Sequence, residues 1–158
     1  MGWLIKFQAI YEYMETGKKI AAGIIPIHPQ SGRVLMIRRG MDQSEPNTWS
    51  FFGGSFDEED KNPKNTAKRE FREESGLDNI KYYISTKPIY VNDDNHLRFY
   101  NYAGIFTEQF VPDLTKEDEA KDYGWFSLDG LPHNMHPGAV ELFEKKMKTI
   151  KELIDYYS

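Results

Sequence analysis

Nine consecutive residues, Arg69-Glu70-Phe71-Arg72-Glu73-Glu74-Ser75-Gly76-Leu77, constrain this chain more than any others. The residues before them supply a helix start. Asn62 can cap the first free N–H groups, and Pro63 has its φ preset for the first turn. Gly76 suits the exit, because glycine adopts the left-handed conformation that closes helices. On such a helix Glu70, Glu73 and Glu74 follow i, i+3, i+4 spacing and share an arc of roughly 100°. Ala67 and Phe71 form an apolar stripe that borders this arc, which sets the carboxylates at the rim of the core. Three adjacent like charges repel, and more strongly where water is partly excluded. A divalent cation turns that penalty into affinity, and Mg²⁺ takes carboxylate, water and phosphate oxygens. The same spacing also describes a solvated face with Arg69 paired to Glu73, so the flanking sequence has to decide.

Short strand-like runs surround the helix. Lys19 to Ile27 reads as a strand, Pro29-Gln30-Ser31-Gly32 as a turn, and Arg33 to Arg38 as the return strand. Trp49 to Phe52 reads as a short aromatic strand that runs into Gly53-Gly54. Lys81 to Val91 and Leu97 to Thr107 are expected to pair as a hairpin across Asn92-Asp93-Asp94-Asn95, and Tyr123 to Ser127 as another strand. Val140, Phe143, Met147, Ile150, Ile154 and Tyr157 mark one stripe along a C-terminal helix. The expected architecture is α/β, a mixed sheet packed between helices, in one domain over residues 1–158.

Gly-Gly after a strand, then a helix carrying Arg-Glu-x-x-Glu-Glu-x-Gly-Leu, resembles the box of the Nudix hydrolases, including the MutT-like enzymes. That box reads Gly, five residues, Glu, seven residues, then Arg-Glu-apolar-x-Glu-Glu-x-Gly-apolar. Its second half matches here at every specified position, and the box spans approximately 53–77. The first half departs twice. Asp60 stands at the position of the early Glu, and eight residues separate it from Arg69, as a one-residue insertion would produce. That puts the supporting role of the early acid in doubt more than the metal site. The similarity continues in Ile37-Arg38-Arg39, Trp49, the stretch from Asp118 to Phe126, and Leu131-Pro132.

The resemblance implies the Nudix-type α/β/α sandwich and Mg²⁺-dependent hydrolysis of a pyrophosphate bond, with Mn²⁺ able to substitute. It implies Glu73 and Glu74 as main metal ligands. Glu70 is a further ligand or the base that activates water, and a backbone carbonyl at Gly53 or Gly54 completes the set. Arg69 is expected to orient a neighbouring carboxylate. Glu119 is chosen as the carboxylate on the loop before Trp125, with Glu117, Asp118 and Asp122 as competitors. Arg39 is expected to hold a substrate phosphate through its planar fork, while Arg38, one position earlier on an extended strand, faces the other way. The hairpin aromatics Tyr82, Tyr83, Tyr90, Phe99, Tyr100, Tyr102 and Phe106 read mostly as core, with one ring free to stack on a base. His28, His96, His133 and His136 share no metal-ligand spacing.

Composition narrows the classes. The net charge of -5 disfavours nucleic acid as a partner but allows a small nucleotide, whose phosphates metal ions can neutralise. With no cysteine, disulfides, thiolate zinc sites and cysteine nucleophiles are excluded. The lack of cysteine also counts against the isopentenyl-diphosphate isomerase branch of the fold. Met1 to Lys6 begins no signal-like run, and no stretch approaches the roughly 20 apolar residues of a membrane span, so a cytoplasmic protein without a membrane partner is expected. The leading expectation is a nucleoside-triphosphate pyrophosphohydrolase. ADP-ribose or nucleotide-sugar hydrolysis stands as the alternative, and a non-catalytic nucleotide-sensing module as a third class. Nudix proteins are often dimers, which leaves a homodimer open.

Overall fold

The computed structural model describes residues 16–116 and 119–158. Met1 to Glu15, where a signal was sought, and the competitors Glu117 and Asp118 lie outside the described residues. The strands are β1 (Lys19–His28), β2 (Arg33–Arg39), β3 (Trp49–Ser50), β4 (Phe52–Ser55), β5 (Tyr83–Ile84), β6 (Tyr90–Asp93), β7 (Leu97–Ile105) and β8 (Ala120–Ser127). They form one mixed sheet, with helix α1 (Pro63–Ser75) on one face and helix α2 (Pro137–Tyr157) on the other.

Period-two alternation sorts the side chains between the two faces. Ala22, Ile24, Leu35 and Ile37 pack with Ala67 and Phe71 of α1. Ile25, Ile27, Val34 and Met36 pack with Ala139, Leu142, Phe143 and Ile150 of α2. Strands covered on both faces read as near-continuous apolar runs, which is how β1 reads. Phe71 anchors α1. Its ring lies 5.1 to 5.5 Å from those of Phe52, Tyr82, Phe106 and Phe110, and it is 1% exposed. Burying such a ring contributes about 1.5–3 kcal/mol. It also fixes the rotation of α1 and therefore the direction in which the glutamates point.

The pairing of β1 explains where the site lies. β1 meets β2 only at Ile27↔Val34 and His28↔Arg33, after which the two strands separate. The gap is filled by one segment that changes partner, β3 pairing with β2 and β4 with β1. On its other side β1 runs parallel to β7 from Lys19↔Leu97 to Ile27↔Ile105. β4 has β1 as its only strand partner among the described residues, so its far edge is open.

Three elements differ from the sequence reading. Lys81 to Val91 is not one strand but β5 and β6, each antiparallel to β7. Pro88 lies between them and has no N–H to offer a ladder. Trp49 to Phe52 likewise divides into β3 and β4 at Phe51, where the segment changes partner. β8 begins at Ala120 rather than Tyr123, because its polar first residues follow β2 as far as Arg39. The caps of α1 are as expected: Asn62 accepts from Asn65 N at 2.9 Å, and Gly76 has φ +70°.

Candidate active site

Asp60 and Arg69 form the base of the site. Only Phe56 and Asp57 separate β4 from the turn Glu58–Asp60, which Asp57 caps. Lys61, directly after this turn, takes φ +72°. Asp60 lies against α1, and its side chain is 5% exposed. It accepts from Arg69 Nε at 2.7 Å and Nη2 at 3.0 Å, from Thr66 Oγ1 at 2.9 Å and from Asp57 N at 2.9 Å. Burial alone would raise its pKa, but these donors, Arg69 foremost, hold it below the usual carboxylate range. The pairing left in doubt by the shortened acid and the inserted residue is therefore made. Asp60 pushes the Arg69 guanidinium further up, leaving it permanently charged.

Arg69 also reaches the metal-side carboxylates. Its Nη1 donates to Glu70 Oε1 at 2.9 Å and Glu73 Oε2 at 3.1 Å, and its Nη2 to Ser55 O at 2.9 Å. One guanidinium thus connects Asp60, the end of β4 and two glutamates of α1.

Glycine lets α1 approach β4. A Cβ at Gly54 would land directly on the Glu70 carboxylate. Gly53 N donates to Glu74 Oε1 at 2.9 Å. The N–H and C=O of one strand residue point to the same side, so the Gly53 carbonyl also faces the open edge of β4. Glu74 is 7% exposed, and its pKa is driven well above the ordinary range by burial, then by Glu70 and Glu119. Burial raises Glu70 too, against the pull of Arg69. Glu119, exposed just before β8, adds its charge to those that raise Glu74. Its carbonyl accepts from Gly40 N at 2.8 Å, tying the loop to the end of β2.

The structure thus brings Glu70, Glu74 and the backbone of Gly53 to one rim, with Glu119 near enough for its charge to act on Glu74. Glu73 turns outward, 43% exposed, to its i, i+4 partner Arg69. Among the described residues no three acidic or imidazole groups stand around a common point. The donor set still fits a divalent cation. Two carboxylates are pressed together where like charge is penalised, beside a free-edge carbonyl, and the exposed pair holding Glu73 aside costs only about 0.3–0.5 kcal/mol to exchange. Arg39 shares the α1 side with Leu35 and Ile37 by alternation. Its Nε and Nη2 are both engaged with Ser44, at 2.7 and 3.0 Å. Arg38 points the other way, Nη1 donating to Asn47 Oδ1 at 2.8 Å.

Comparison with known proteins agrees with this fold. The NUDIX domain family model matches residues 17–146. Among solved structures, a MutT NUDIX hydrolase from Burkholderia pseudomallei is similar at 22% identity, over 80% of this chain and 96% of that one, with a TM-score of 0.56. A Nudix hydrolase from M. smegmatis superposes with a TM-score of 0.69 at 18% identity, over 84% and 85% of the two chains. A bifunctional NMN adenylyltransferase/ADP ribose pyrophosphatase from Francisella tularensis, complexed with AMP and Mn ion, matches over 94% of this chain and 47% of its own, at 15% identity and a TM-score of 0.55. No curated protein matches. The chain belongs to the Nudix family, and as a Nudix hydrolase it cleaves pyrophosphate bonds. No helix among the described residues is long and apolar enough to cross a membrane.

Proposed function

We propose that this protein is a Mg²⁺-dependent nucleoside-triphosphate pyrophosphohydrolase, in which water attacks an internal phosphorus and releases a nucleoside monophosphate and pyrophosphate. The observation that carries the reading is the pair Glu70 and Glu74, set together against the Gly53-Gly54 backbone at the edge of β4. Glu70, Glu73, Glu74 and the Gly53 carbonyl would hold the cation. A divalent cation in such a site neutralises phosphate oxygens and lowers the pKa of water. Arg69 keeps Glu70 and Glu73 in place, and Asp60 keeps Arg69 in place. Glu119, on the loop before β8, accepts the proton of the attacking water; Glu70 is the alternative base. Arg39 exchanges its Ser44 contacts for a substrate phosphate. A cytoplasmic setting suits a nucleotide substrate.

The test is hydrolysis of a nucleotide panel in ¹⁸O-labelled water, with mass spectrometry of both products. Label in the monophosphate or in pyrophosphate establishes internal cleavage and shows which phosphorus was attacked. Orthophosphate as the sole first product overturns it. If no triphosphate reacts but ADP-ribose yields AMP and ribose 5-phosphate, the substrate class moves to that of the Francisella match. Turnover that persists in excess EDTA removes the metal from the reading.

A further inference from the structure

Most hairpin rings are committed to the interior. Tyr82, Tyr100, Tyr102 and Phe106 pack on the α1 side, Tyr90 joins the α2 side, and Tyr83 lies against Tyr157. Phe99 differs. It belongs to neither core, is partly exposed, and touches no other ring among the described residues. Alternation with Tyr100 puts it on the α2 face of the sheet. Its ring crosses β1 and ends over Gly53, where an added Cβ would stand 2.5 Å from Phe99 Cζ. Gly23 and Gly53 are paired directly, so this part of the face is bare backbone.

On its other side Phe99 pairs with Asn92 of β6, a distance at which side chains meet. Asn92 Nδ2 donates to Glu141 Oε2 at 2.5 Å and to Gly138 O at 3.2 Å, both near the start of α2, and Asn92 Oδ1 accepts from Asn101 at 2.8 Å. The ring therefore lies between two polar ends. One is the Gly53 edge that meets Glu74, and the other is a strip of amide and carboxylate groups. The open edge of β4 joins the carboxylates on the α1 face to this ring on the α2 face. A flat group with hydrogen-bonding atoms on its rim, joined to phosphates, matches this sequence of surfaces. A lipid tail does not, because it would leave the Asn92–Glu141 strip covered without new partners.

Resting on the nucleotide reading above, we propose that Phe99 is the platform on which the substrate's base stacks, with the Glu141 carboxylate, held by Asn92, meeting the base's hydrogen-bonding edge. Stacking tolerates every base; the carboxylate of Glu141, an acceptor, then favours bases that present N–H donors there.

Binding of the four nucleoside monophosphates and of ribose 5-phosphate to the full chain, with Mg²⁺ present, tests this by calorimetry and proton NMR. In the wild type the base protons of a bound monophosphate shift upfield in the field of the ring. Phe99→Leu weakens monophosphate binding about tenfold or more and ribose 5-phosphate binding less than twofold. Phe99→Trp retains tight binding, and Glu141→Gln changes the order of preference among the bases. Equal effects of Phe99→Leu on both ligand types, or base protons that do not move in the wild type, overturn the platform. An unchanged order in Glu141→Gln overturns the edge assignment. Should Phe99→Leu fail to fold, the wild-type shifts and Phe99→Trp still decide. Failure here with nucleotides still hydrolysed refutes Phe99 alone, whereas hydrolysis of no nucleotide refutes the reading beneath it.

Discussion

Asp60→Asn isolates the base of the site. The substitution keeps volume but removes the charge, and it sets an amide NH₂ against groups that are all donors. Hydrogen bonds to charged groups contribute about 1.5–3 kcal/mol each, and breaking a buried ion pair costs about 3–5 kcal/mol. Arg69 is 25% exposed and recovers part of its hydration, so the expected loss is smaller, about 2–3 kcal/mol. Urea denaturation followed by circular dichroism at pH 7 should show a lower midpoint with an unchanged slope. The pH dependence carries the second check. The folded pKa of Asp60 is depressed, so its stabilisation is complete above the unfolded value of about 3.9 and fades as pH falls through the folded value. The gap between wild type and variant should hold at neutral pH and narrow only below about pH 4. A loss under about 0.5 kcal/mol at pH 7, or a gap already closed at about pH 5.5, refutes the reasoning. Because Arg69 loses its anchor, kcat should fall as well, by about tenfold to a hundredfold.

Three further outcomes are expected. Glu74→Gln lowers kcat by on the order of a hundredfold or more and weakens Mn²⁺ binding measured calorimetrically; full activity in this variant dismisses its ligand role. Gly54→Ala displaces the Glu70 carboxylate on which its Cβ lands, lowering kcat about a hundredfold at a stability cost of about 1–3 kcal/mol. Steady-state kinetics with thermal melts should separate these two effects, and wild-type kinetics would show that Glu70 accommodates the methyl. Glu119→Gln depresses kcat with an unchanged melting temperature, since Glu119 is exposed; if Glu117→Gln or Asp118→Asn produces the loss instead, the base lies elsewhere on that loop.

The carboxylate helix was legible because its determinants are local. Cap, stripe, glutamate arc and exit glycine occupy consecutive turns, and no distant contact alters them. Both faces of the sandwich were readable in outline from apolar runs. The change of partner at Phe51 was not, because the gap it fills exists only after β1 and β2 separate. The division of Lys81 to Val91 carried a local mark, Pro88. The turn that carries Asp60 ends in Lys61 at positive φ, a conformation that a lysine does not announce. The position of Phe99 over Gly53 depends on β7 lying beside β1, a pairing between remote segments.

That same parallel pairing divides the molecule by the order in which it can assemble. The brace of Asp60, Thr66 and Arg69 closes within one short stretch of chain and needs little loop-closure entropy. Lys19 and Leu97 must find each other across the whole carboxylate segment, a slow, non-local step. The glycines of β4 gain their strand partner only when β1 is held in the sheet. Sequence changes in the first strand therefore act on the yield of folded enzyme, and they register in cellular abundance before they register in turnover.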